Sequence, residues 1–133
     1  MNPHYAKVAG RAGHRCEYCY APEAVFNLPF EIEHIVPMFR GGDDSAANLA
    51  LACRACNLFK AAHVDASDPE SDELVRLFNP RQDRWADHFQ VDPENIRIVG
   101  RTPAGRATVG RLRLNREAQM AARQQWIRLG LFP

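Results

Sequence analysis

Cys16-x-x-Cys19 and Cys53-x-x-Cys56 use all four cysteines of the chain, with 33 residues between the inner two. Two intervening residues let both sulfurs of a pair turn toward one point, and two such pairs supply the four ligands of a tetrahedral zinc site. Paired cysteines in a reducing compartment bind metal more often than they form disulfides. The N-terminus has no apolar stretch of the kind that directs export, so a cytoplasmic setting is the expectation. Two disulfides, or two buried reduced pairs, are the alternative readings of the same spacing. The separation is too long for a simple zinc ribbon, so a folded element must lie between the pairs.

At 133 residues the chain is one ordinary domain, or a small core with an appendage. Its 46% apolar and 25% charged content is that of a globular protein. No apolar run approaches the ~20 residues of a membrane span. The net charge of +1 conceals an uneven distribution. Residues 1–71 carry 6 Lys/Arg against 9 Asp/Glu, whereas residues 95–133 carry 8 Arg against Glu117 alone. Arginine is the side chain best shaped for bidentate phosphate contacts, so this basic end fits a polyanionic partner. It fits equally a solvated basic surface.

Residues 4–15 predict a short helix ending near Gly13. Phe30-Glu31-Ile32-Glu33-His34-Ile35 alternates apolar and polar residues, the pattern of a half-buried strand, and Pro37 ends it. Gly41-Gly42-Asp43-Asp44-Ser45 is turn chemistry, and Asn48 to Ala52 reads as a second strand. Cys53 to Ala62 predicts a second knuckle running into a helix. Residues 63–72 are polar and contain Pro69, which predicts a linker. Asn79-Pro80 reads as an N-cap and first helical residue, opening a helix that carries Trp85, His88 and Phe89. Ile96–Arg101 and Arg106–Arg113 read as a hairpin about Thr102-Pro103-Ala104-Gly105, and Asn115 as the cap of a final helix. The predicted organisation is a core over residues 1–66 and a basic helix–hairpin–helix extension over residues 67–133, packed on it or continuous with it.

Between the cysteine pairs stand Glu33-His34-Ile35-Val36-Pro37, Gly41-Gly42, Asn48-Leu49 and Cys53-x-x-Cys56-Asn57-x-x-Lys60. This combination resembles the HNH endonuclease motif, and within it the four-cysteine subgroup. The resemblance covers roughly residues 14–62. It implies an α+β chain built on a ββα-metal core, in which a two-stranded hairpin packs on one helix beside a catalytic divalent cation. His34 then matches the general base, for which a neutral imidazole is suited near neutral pH. Glu33, where the family usually has Asp, and Asn57 match the ligands of the cation, Mg2+ or Mn2+ being hard ions that prefer oxygen. Asn48 matches the residue that holds the hairpin loop and so orients His34. Cys16, Cys19, Cys53 and Cys56 would hold a structural Zn2+.

Neighbouring residues on a regular strand point to opposite faces. Glu33 and His34 therefore share a site only if the strand is irregular. On a regular strand Glu31 lies on the side of Glu33, and neither carboxylate sits beside the imidazole. Lys60, Arg54 and Arg40 are candidate phosphate contacts; a solvent-facing role serves each as well. The reading is a metal-dependent DNA endonuclease, with a zinc-stabilised nucleic-acid-binding module as the alternative. DNA is the expected partner and no membrane is expected. A single site cuts one strand, so the oligomeric state stays open, with a dimer compatible.

Overall fold

The alternating stretch after Phe30 forms β1 (Glu31–His34), and the small apolar run Leu49–Ala52 forms β2. The computed structural model, which describes residues 1–133, pairs them antiparallel from Glu31↔Ala52 to His34↔Leu49. β2 is buried throughout, because α1 (Tyr5–Arg11) and α2 (Arg54–Lys60) both pack against the hairpin. α1 buries Val8 and Ala9, and Arg11 ties it down by donating to Ala46 O (2.8 Å) and Leu49 O (2.6 Å). Gly13 lies just beyond it with φ +64°, a backbone conformation that costs glycine little.

Beyond α2 the chain departs from the sequence expectation in four places. Residues 63–72 are not a linker: β3 (Asp65–Ser67) pairs antiparallel with β4 (Leu74–Arg76). Asp68 makes that turn, accepting from Glu70 N (3.1 Å), Ser71 Oγ (3.0 Å) and two nitrogens of Arg106 (both 2.9 Å). Second, Asn79 opens a turn, not a helix; its Oδ1 accepts from Arg81 N at 2.8 Å. Helix returns only as the single turn α3 (Trp85–His88), and Phe89 begins β5 (Phe89–Val91).

Third, the strand expected at Ile96–Arg101 is β6 (Ile98–Gly100), but its partner is β5. Thr102-Pro103 starts a helix, α4 (Pro103–Arg111), where a second strand was expected. The local chemistry is an N-cap: Thr102 Oγ1 accepts from Gly105 N at 3.0 Å, with Pro103 in the first helical turn. Gly105 is needed because a Cβ there would stand 2.2 Å from His88 O. Fourth, Asn115 does not cap α5 (Glu117–Arg128); its amide pairs with both Ile98 N (2.8 Å) and Ile98 O (2.7 Å). The extension is thus two hairpins, one helical turn and two helices, with the β5–β6 hairpin standing between α3 and α4.

Trp85 joins the extension to the first knuckle, stacking on Tyr20 with centroids 4.3 Å apart and donating Nε1–H to Tyr18 O at 2.9 Å. The 22 buried apolar residues form one cluster from Val8 to Trp126. The boundary expected at residue 66 falls inside β3.

Candidate active site and zinc clamp

Each Cys-x-x-Cys pair turns on a local device. In the first, Tyr20 N–H returns to Cys16 O at 2.9 Å and Tyr20 takes φ +63°, so the backbone reverses and the sulfurs of Cys16 and Cys19 face the same way. In the second, Cys53 is the N-cap of α2 and its Sγ accepts from Cys56 N at 3.5 Å. All four thiols are buried and unbridged, with their Sγ atoms within 4.8 Å of one another. Cys19 and Cys53 Sγ stand 3.7 Å apart. A tetrahedron of 2.3 Å zinc–sulfur bonds has edges of about 3.8 Å, so the geometry fits zinc and not disulfides. Burial pushes Cys16 up, bonding among the thiols pushes Cys56 up, and the same bonding pulls Cys53 down. A bound dication removes that conflict.

The loop between β1 and β2 is braced from inside. Asn48 Oδ1 accepts from Val36 N (2.9 Å), and its Nδ2 donates to Val36 O (2.9 Å) and Asp43 O (2.8 Å). Gly42 lies so close that a Cβ would come 1.8 Å from Val36 O. The loop therefore has one shape, and it carries Asp44 to the end of β1. There His34 Nε2 meets Asp44 Oδ1 at 2.7 Å, with 32% of the His34 side chain and 62% of the Asp44 side chain exposed. The imidazole is open to solvent and held in orientation. Asp44 was not singled out from the sequence; the only signal for it is its place in the Gly41-Gly42-Asp43-Asp44 turn.

β1 is regular, so the two glutamates share the side that faces α2. Glu31 accepts from Asn57 Nδ2 (2.6 Å) and Arg54 Nη1 (2.8 Å). Glu33, only 4% exposed, accepts from Tyr18 Oη at 2.5 Å and pairs with the Lys60 ammonium. Burial raises the Glu33 carboxyl above its ordinary value, against the opposing pull of Lys60 and Tyr18. Lys60, expected at a phosphate, is a correction. It is 1% exposed and also donates to Ile35 O at 3.0 Å, because the last turn of α2 lies over the buried carboxylate. Arg54 is exposed on α2, and Arg40 is exposed with its guanidinium 5.7 Å from the Phe39 ring centroid.

Although β1 is regular, Glu33, His34 and Asn57 line one open cleft of about 310 Å³ with Pro37 and Met38, so an irregular strand is not needed to bring the first two to one site. Glu33 Oε1 has no hydrogen bond in good geometry there, only the ion pair with Lys60. A carboxylate oxygen and an amide oxygen on one cleft are the donor types of a hard cation. The lining fits such an ion in chemistry, though Glu33 already has a positive neighbour.

Residues 16–62 match the family model for HNH endonucleases. The HNH match covers just over a third of the chain and begins at the first zinc-clamp cysteine. No curated protein and no solved structure matches the chain. The HNH match and the cysteine cluster together indicate a nuclease or nucleic-acid-binding function with a zinc site. No helix is long and apolar enough to cross a membrane.

Proposed function

We propose that the HNH segment is a DNA endonuclease that hydrolyses phosphodiester bonds with His34 as general base. The observation that carries this reading is the solvent-open imidazole of His34, bonded to Asp44 on a loop pinned by Asn48. In the tautomer that donates Nε2–H to Asp44, Nδ1 keeps its lone pair and accepts a proton from water. The water oxygen forms a bond to phosphorus while the bond from phosphorus to the 3′ oxygen breaks. The departing oxygen takes its proton from solvent, leaving a 5′-phosphate and a 3′-hydroxyl. Asn48 acts through the loop, keeping Asp44 and thus His34 in place.

A divalent cation such as Mg2+ or Mn2+, held by Asn57 and Glu33, would supply charge neutralisation at the phosphate when bound. Arg40 and Arg54 offer exposed guanidiniums for phosphates on either side. Such contacts give affinity without sequence readout. A second reading, a zinc-stabilised nucleic-acid-binding module, is favoured by one observation: the buried Glu33 carboxylate is already neutralised by Lys60.

A plasmid-nicking assay with added Mg2+ or Mn2+ separates the two. His34→Ala should lower the cleavage rate about 10²- to 10⁴-fold without lowering the melting temperature. Equal cutting by the variant rejects His34 as the base. Retained DNA binding with no cutting under either metal establishes the binding module.

A further inference from the structure

A carboxylate buried to the extent of Glu33 stays ionised only beside a positive charge, and this chain supplies one from its own helix. Lys60 is the last residue of α2, where the helix dipole favours a cation, and its flexible stem reaches back across β1. The ammonium touches two points on either side of His34: the Glu33 carboxylate before it and Ile35 O after it. From the other direction Tyr18, set between Cys16 and Cys19, donates to the second oxygen of Glu33. Glu33 Oε1, the oxygen that meets Lys60, is the one with no other partner.

We infer that Lys60 is the resident cation of the cleft and sets its affinity for divalent metal: a metal ion gains Glu33 only by displacing the Lys60 ammonium. The inference rests on the proposed endonuclease reading, in which the cleft takes a divalent ion. Its physical content is competition. A dication and an ammonium cannot share one buried oxygen without strong repulsion, so each must exclude the other. The resident ammonium keeps the metal-free cleft folded, with no uncompensated buried charge. In return, divalent ions bind more weakly than the bare donor set would allow. Removing the ammonium should therefore tighten metal binding.

The test measures Mn2+ binding to the zinc-loaded full chain by titration with electron paramagnetic resonance. Lys60→Met should bind Mn2+ at least about tenfold more tightly than wild type. Added Mn2+ should raise its melting temperature more than that of wild type. Glu33→Gln/Lys60→Met, which removes both charges and so spares the fold, should lose the tight site. If Lys60→Met is too unstable to purify, Lys60→Gln keeps a donor for Ile35 O and should show the same gain. Unchanged or weaker Mn2+ binding in a folded Lys60 variant overturns the inference. If His34-dependent nicking persists in that case, the endonuclease reading survives it. Absence of both Mn2+ binding and nicking in every variant overturns the two together.

Discussion

The first knuckle, the end of β2 and the start of α2 meet at four sulfurs, while the elements after residue 64 are tied together by arginines. In the first region two knuckles and a 3.7 Å sulfur–sulfur approach leave the closing bond to a metal ion. In the second, Arg106 grips the buried Asp68 with two nitrogens, Arg76 grips Asp83 in the same way, and Arg123 is wholly buried. Arg123 donates to Ile96 O (2.9 Å) and Leu114 O (2.7 Å), joining the segments that lead into β6 and out of α4 to α5. The metal clamp gathers its energy at one point, whereas the arginine clamps spread theirs over several moderate contacts. One region should therefore fail all at once and the other by degrees. The basic end is divided between the interior and the surface. Arg106 and Arg123 serve the interior, which leaves Arg97, Arg101, Arg113 and Arg128 among the exposed residues there.

Zinc removal should separate the two regions most sharply. Structural zinc contributes on the order of 10 kcal/mol to a small domain. A chelator, or Cys53→Ser, should abolish the cooperative thermal transition seen by circular dichroism. A metal-free protein with an unchanged transition would show that the apolar core alone holds the first region.

Arg123→Met comes next. It strips the buried Leu114 carbonyl and the half-buried Ile96 carbonyl of their donor and should cost about 3 kcal/mol in denaturant unfolding. Burial pulls the Arg123 guanidinium down, while the Cys19 and Cys56 sulfurs act the other way, and its helix borders the clamp, since Gln119, Ala122 and Trp126 share a cavity wall with Cys53. Zinc should consequently leave the variant faster under chelator, which would tie the two regions together more closely than their separate means of support imply.

The smallest effect is one that acid erases. Arg106 holds the Asp68 carboxyl well below the usual carboxylate range. A lowered folded-state value means that the stability from Asp68 is complete above its unfolded pKa of about 3.9, and is lost as the pH falls toward the folded value. Asp68→Asn should therefore lower the melting temperature near neutral pH, with the gap to wild type closing below about pH 4. A gap independent of pH would mean that the asparagine disturbs packing and that the charge is not what matters.

Much of the first region was legible because its signals are local. Cysteine spacing, a strand of period two, and Gly-Gly turn residues each act over a few positions. The extension was misread at Asn79, Thr102 and Asn115, residues whose short polar side chains serve turns, caps and strand edges alike. Thr102-Pro103 carried a proper helix start, yet the following glycines and β-branched residues read equally as a hairpin. Only the crossing of β6 and α4, close enough to require Gly100 and Gly105, distinguishes the two.

By itself the sequence determined that four thiols would close on a hairpin and helix, and that a histidine would stand at the end of the first strand. Alternation along that strand is a property of the backbone, so it sent the Glu33 and His34 side chains to different partners even though both line one cleft. Tertiary structure decided what each then touches: Asp44 for the imidazole, Tyr18 and Lys60 for the carboxylate. Those partners come from a loop, a zinc knuckle and a helix end. Burial makes an uncompensated charge too costly to leave alone, but which distant side chain answers it depends on packing that no local pattern encodes.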